Sequence, residues 1–89
     1  MIERELRIAN KLGLHARATA KLVQVLSAYR SNATLIAKGR EVNAKSIMGV
    51  MLLAAGFGTS VRLRLDGEDE AAAMEAAAAL FERKFDEEG

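Results

Sequence analysis

Hydrophobic spacing in this chain switches repeatedly between period two and period three/four. Few folds accommodate that alternation in 89 residues. Ile2, Leu6 and Ile8 share one parity and Glu3, Glu5 and Arg7 the other, so residues 2–8 read as a half-buried strand with Arg4 as the exception. From Ala16 to Tyr29 the apolar positions Ala18, Leu22, Val25, Leu26 and Tyr29 follow helical spacing. Residues 33–37 and 40–43 flank Lys38-Gly39, the pattern of a two-strand hairpin. An apolar run, 47–55, follows Ser46 and reads as a short helix. Val61, Leu63 and Leu65 alternate with Arg62, Arg64 and Asp66, giving a fourth strand. Seven alanines favour a last helix at about 69–85, with Met74, Ala77, Ala78, Phe81 and Phe85 as its buried stripe. The order βαββαβα predicts an α+β layer fold, one sheet with helices on one face. At this length the expectation is a single domain over 1–89.

Composition removes several classes of chemistry. There is no Cys and one His, so thiolate sites, disulfides and multi-His metal sites are excluded, and any imidazole chemistry falls to His15. No metal or cofactor is expected. No apolar run reaches the roughly 18 residues that span a bilayer. The charged start lacks a signal peptide's apolar region, and with no Cys the cytoplasm is the expected compartment. Residues 1–45 hold nine Lys/Arg and three Asp/Glu, whereas 46–89 hold four and nine. The basic half could steer an acidic partner or an anion, or the asymmetry is only an uneven solvated surface. The four aromatics are not interleaved with basic residues, which argues against nucleic acid binding.

His15 stands where the first helix begins. Unpaired N–H groups and the helix dipole at that point suit a phosphate and disfavour imidazolium. A neutral His15 facing solvent is a nucleophile toward phosphorus, with the amides of Ala16 and Arg17 and the Arg17 guanidinium as phosphate contacts. The same position also suits a histidine that only caps the helix. Ser46 reads as the N-cap of the second helix. That helix has no polar side chain, so some of Ile47, Met48 and Met51 should be exposed as a docking patch, unless loops cover them. Gly56-Phe57-Gly58 precedes a strand, so it reads as a tight turn and not as a nucleotide loop.

Gly13-Leu14-His15-Ala16-Arg17 resembles the active-centre motif of the HPr family, the histidine-containing phosphocarriers of the phosphoenolpyruvate:sugar phosphotransferase system. Residues 43–49, Asn-Ala-Lys-Ser-Ile-Met-Gly, resemble that family's regulatory-serine segment, and Leu53-Ala54-Ala55 with Gly58 also match. The resemblance covers nearly the whole chain. It implies an open-faced sandwich, a four-stranded antiparallel sheet covered on one face by three helices. It implies transfer from phosphorylated enzyme I to His15 Nδ1, then to a histidine of an enzyme IIA component. Arg17 matches the family's active-centre arginine. Ser46 matches the serine modified in many members by an HPr kinase/phosphorylase. Ile47, Met48 and Met51 match partner-docking positions, and Arg17, Lys21 and Lys45 add basic groups to that surface. Ala18 stands where the motif commonly has Pro, a residue favoured early in a helix but not required there. Lys11-Leu12-Gly13 and Phe85-Asp86-Glu87 look like the nitrogen-related, regulatory branch. A monomer is expected. The alternative is a regulatory binding protein that acts through Ser46 and its surface, without phosphoryl relay.

Overall fold

The computed structural model describes residues 1–87. Its elements are β1 (Ile2–Arg7), α1 (Ala16–Ser27), β2 (Asn32–Ala37), β3 (Arg40–Asn43), α2 (Ile47–Leu52), β4 (Ser60–Asp66) and α3 (Glu70–Glu82), followed by a short turn at Lys84–Asp86. The four strands form one antiparallel sheet in the order β1-β4-β2-β3. In β4, Leu65, Leu63 and Val61 pair with Ile2, Arg4 and Leu6 on one side, and Leu63 pairs with Leu35 on the other. Period two does the sorting, as expected. Val61, Leu63 and Leu65 are buried under the helices, while Arg62, Arg64 and Glu3 form ion pairs on the opposite face.

Helix α1 buries Ala18, Thr19, Leu22 and Leu26. It ends earlier than its apolar spacing suggests, because Ala28 and Tyr29 close it with hydrogen bonds to Val25 and Leu26. Ala18 sits fully buried in its first turn. Helix α2 ends at Leu52, before the apolar run does, since Ala54 adopts a left-handed conformation (φ 49°). Leu53 and Ala55 nevertheless reach the core.

Helix α3 also stops short of the expected 85. Met74, Ala77, Ala78 and Phe81 are buried as the spacing predicts, and Ala73 and Leu80, which it does not select, are buried with them. Phe85 is fully buried but lies off the helix. Lys84, Phe85 and Asp86 take φ values of 56°, 55° and 61°, the left-handed region. That conformation costs about 1–2 kcal/mol for each L-residue. Burial of the Phe85 ring, about 1.5–3 kcal/mol, offsets much of it. So do the tilted Phe81–Phe85 contact, with centroids 4.9 Å apart, and the bond from Lys21 Nζ to the Phe85 carbonyl at 2.7 Å. Spacing could not reveal this break, because a residue four after Phe81 falls on the same stripe whether or not the helix continues.

Asp69 ties α3 to the end of α1. Its carboxylate accepts from the Ser31 hydroxyl, the Arg30 N–H (2.7 Å) and the Ser31 N–H (3.0 Å). The Ser31 hydroxyl first, then the Arg30 amide, hold its carboxyl below the ordinary value of 3.8. A depressed carboxyl stabilises the fold above its unfolded value and loses that contribution as pH falls through the folded one. Asp69→Asn should therefore lower the melting temperature at pH 7. Its deficit against the wild type should shrink below pH 3.8, as thermal melts across pH would record.

The loop entering α1 is set by Gly13, at φ 66°. A Cβ there would lie 2.7 Å from the Ala55 carbonyl oxygen and 2.8 Å from Gly56 Cα. Left-handed strain and overpacking together predict that Gly13→Ala loses about 2–4 kcal/mol, read from urea unfolding.

Candidate functional site

Two elements and a turn converge on His15. The residue is the N-cap of α1, with extended backbone (φ −74°, ψ −178°). Its Nδ1 accepts the Arg17 N–H at 3.3 Å. The capping reading and the acceptor reading thus describe one geometry: the nitrogen that caps the helix is the one aimed at its unpaired N–H groups. The loop before it is pinned to the segment after α2, where the Leu14 N–H bonds to the Ala55 carbonyl at 3.0 Å. Thr19 Oγ1 donates to the Leu14 carbonyl at 3.0 Å from inside α1.

The ring is less open than the sequence suggests, with its side chain 28% exposed. Glu87 Oε2 lies 2.6 Å from His15 Nε2. The other oxygen, Glu87 Oε1, accepts from Asn10 Nδ2 at 3.1 Å, and the same amide donates to the Gly13 carbonyl at 2.8 Å. Burial alone would raise the Glu87 carboxyl. The Asn10 amide, the His15 ring and the Lys21 ammonium outweigh it and hold the carboxyl below its ordinary 4.5. A carboxylate is an acceptor only, so it requires a proton on Nε2 and leaves the lone pair of the neutral ring on Nδ1.

Sequence reasoning assigns no site role to Asn10, Asp86 or Glu87, and gives Lys21 only a basic charge for docking. Asn10 sits in a loop with no periodicity to mark it, yet the fold buries it completely. Phe85-Asp86-Glu87 carries only a branch resemblance in the sequence, and Glu88 and Gly89 lie outside the described residues.

His15, Ala16 and Arg17 line one cleft with Lys11, Leu12, Lys21, Asp86 and Glu87. Ala16 and Arg17 are both exposed. Ser46 is half-buried and caps α2, its Oγ accepting the Gly49 N–H at 3.1 Å. Within α2 only Val50 is buried. Ile47, Met48 and Met51 are exposed as expected, and Leu52, Phe57 and Leu12 join them, Met48 at 78% and Leu12 at 72%. Apolar side chains this exposed extend the patch toward the His15 cleft, which Leu12 also lines. Lys45 is engaged elsewhere, since its ammonium donates to the Tyr29 carbonyl at 2.8 Å, near the end of α1. Among the described residues no three His, Cys, Asp or Glu side chains gather where they could hold a metal ion. No described helix is long and apolar enough to cross a membrane.

The chain is similar over nearly its full length to known proteins. A family model described as the PTS HPr component phosphorylation site matches residues 2–83. The phosphocarrier protein HPr of Xylella fastidiosa is 67% identical over 99% of both chains. The phosphocarrier protein NPr of Shewanella violacea is 40% identical, covering 97% of this chain and 94% of its own. A crystal structure of HPr from Thermoanaerobacter tengcongensis superposes with a TM-score of 0.96 at 44% identity, over the whole of both chains. A dimeric form of HPr from the same organism superposes at 0.79, with 44% identity and coverage of 98% and 100%. With residues 2–83 matched by the family model and relatives aligned over nearly its full length, this chain belongs to the HPr family of phosphotransferase-system phosphocarriers.

Proposed function

We propose that this protein works as a phosphocarrier of the phosphoenolpyruvate-dependent phosphotransferase system through His15, the chain acting as one domain. His15 accepts a phosphoryl group from phosphorylated enzyme I and passes it to a histidine of an enzyme IIA component. The observation that carries this reading is the disposition of the His15 ring. Nε2 is occupied by Glu87, and Nδ1 is presented at the first turn of α1. Attack by Nδ1 seats the new phosphate beside the helix N-terminus, where the Ala16 and Arg17 amides and the Arg17 guanidinium can meet its oxygens. Full-length similarity to proteins named phosphocarrier HPr supports the same reading. The HPr relative is more similar than the NPr relative, which favours the general HPr role over the nitrogen-related branch. A regulator acting through Ser46 alone would leave the His15 geometry without a use.

Ile47, Met48 and Met51, extended by Leu52, Phe57 and Leu12, form the surface on which both partners dock. Lys45, with its ammonium held by Tyr29, contributes fixed positive charge beside Ser46 and not a mobile contact. Ser46 is the regulatory site, open to an HPr kinase/phosphorylase. A phosphate there keeps the α2 cap but adds about two negative charges at the edge of the patch. The protein works as a monomer in the cytoplasm.

Phosphoenolpyruvate and enzyme I should place an acid-labile phosphoimidazole on the wild type, visible by phosphorus NMR. His15→Ala should abolish it. Label that persists on the variant overturns the assignment. At Ser46 the two roles separate. Ser46→Ala removes the cap acceptor and should cost about 1 kcal/mol in denaturant melts, with transfer retained. Ser46→Asp keeps an acceptor and the fold, and should slow transfer from enzyme I in a stopped assay.

A further inference from the structure

The family match ends at residue 83, yet the chain beyond it folds back onto the site. We propose that Asn10, Glu87 and His15 form a relay that keeps one proton on His15 Nε2 through both phosphoryl transfers, with Glu87 as a positioning residue delivered by the left-handed turn at 84–86. Its kinetic consequence rests on the phosphocarrier reading above; the relay itself does not.

The turn is held from several sides. Phe85 is fully buried against Phe81, and Lys21 Nζ donates to its carbonyl. The Glu87 N–H bonds to the Lys84 carbonyl at 3.0 Å. Non-glycine residues in left-handed conformations persist where the surroundings over-determine them, and they cluster at functional sites. Here the three strained residues place a single carboxylate between a buried amide and the imidazole. Asn10 has one workable orientation. Both of its partners, the Gly13 carbonyl and Glu87, only accept, so the amide must present its NH2. Its Oδ1 is left buried with no partner among the described residues.

The chemistry balances without moving a proton. Before transfer, Nε2–H donates to Glu87 and Nδ1 carries the lone pair. That pair forms the N–P bond as the bond from phosphorus to the donor's nitrogen breaks, its electrons staying with the donor. The ring becomes a phosphoimidazolium whose charge faces the Glu87 carboxylate. In the second step a lone pair on the acceptor's histidine nitrogen forms the new N–P bond as the bond to Nδ1 breaks, the pair returns to Nδ1, and the ring is neutral again with its Nε2 proton in place. A phosphoimidazole that lost the Nε2 proton would be a poor leaving group, and the carboxylate opposes that loss. The other charges facing the ring are Lys11 from the loop, Arg17 and Lys21 from α1, and Asp86 from the turn. Of the two acids, only Glu87 touches the ring.

Nitrogen-15 NMR of the unphosphorylated full chain tests the relay directly. The His15 Nε2–H should exchange slowly with water and become at least about tenfold faster in Glu87→Ala, with signals away from the cleft unmoved. Once His15 is phosphorylated, the pH at which spontaneous hydrolysis falls to half its acid rate should drop by about one unit in Glu87→Gln. Asn10→Ala should move it the same way by less, and Asp86→Asn should leave it in place. A wild-type Nε2–H that exchanges as fast as in Glu87→Ala overturns the proposal. So does an Asp86→Asn shift equal to that of Glu87→Gln, which would make the effect one of general charge. If His15 takes no phosphoryl group, the phosphocarrier reading fails, while the exchange measurement still decides the relay.

Discussion

The close approach of Gly13 to Ala55 and Gly56 is the constraint on which the site depends. It requires a residue without a Cβ at positive φ, and it lets the Leu14 N–H reach the Ala55 carbonyl. Through that contact the loop before α1 and the segment after α2 form one frame. The start of α1 is then fixed relative to the apolar surface of α2. One backbone contact therefore positions both His15 and the exposed apolar patch, which lie far apart in the sequence.

Most of the fold was legible because its elements obey simple periods. Strand β4 alternates cleanly, and Ala18, Leu22 and Leu26 of α1 and Met74, Ala77, Ala78 and Phe81 of α3 are buried as their spacing selects, with Val25 and Tyr29 partly covered. What escaped was conformation that leaves the burial pattern unchanged. Ala54 turns left-handed, yet Leu53 and Ala55 on either side of it stay buried, so the apolar run outlasts α2. Phe85 is buried by a left-handed turn at a position where a continuing helix would also bury it. Periodicity reports which side chains go inside and is blind to the backbone path that takes them there.

The site was legible in part for a related reason. His15, Arg17 and Ser46 announce themselves by standing at helix starts, where unpaired N–H groups give a short motif physical meaning. Glu87 has no such local context. Its partners, Asn10 and His15, are 77 and 72 residues away in the chain, and only the folded turn brings them together. An acidic residue near the end of a chain gives no sign of such a contact.

The uneven charge of the two halves of the sequence also changes meaning once the chain is folded. Glu3 pairs with Arg62 and Arg64, Arg64 also reaches Glu41, and the amino terminus meets Glu70. These pairs join the two halves of the sequence, and those made by Glu3 and Glu41 match the few acids of the basic half to arginines of the acidic half. At the His15 cleft the acidic half supplies Asp86 and Glu87, while Lys11, Arg17 and Lys21 come from the basic half. Lys21 is occupied by the Phe85 carbonyl and lies 4.0 Å from Asp86. Lys11 and Arg17 are exposed, and neither is paired with Glu87, whose carboxylate is taken up by Asn10 and His15. The cleft thus keeps its charges apart: the Glu87 carboxylate is engaged by Asn10 and His15, while the Lys11 and Arg17 side chains stand exposed.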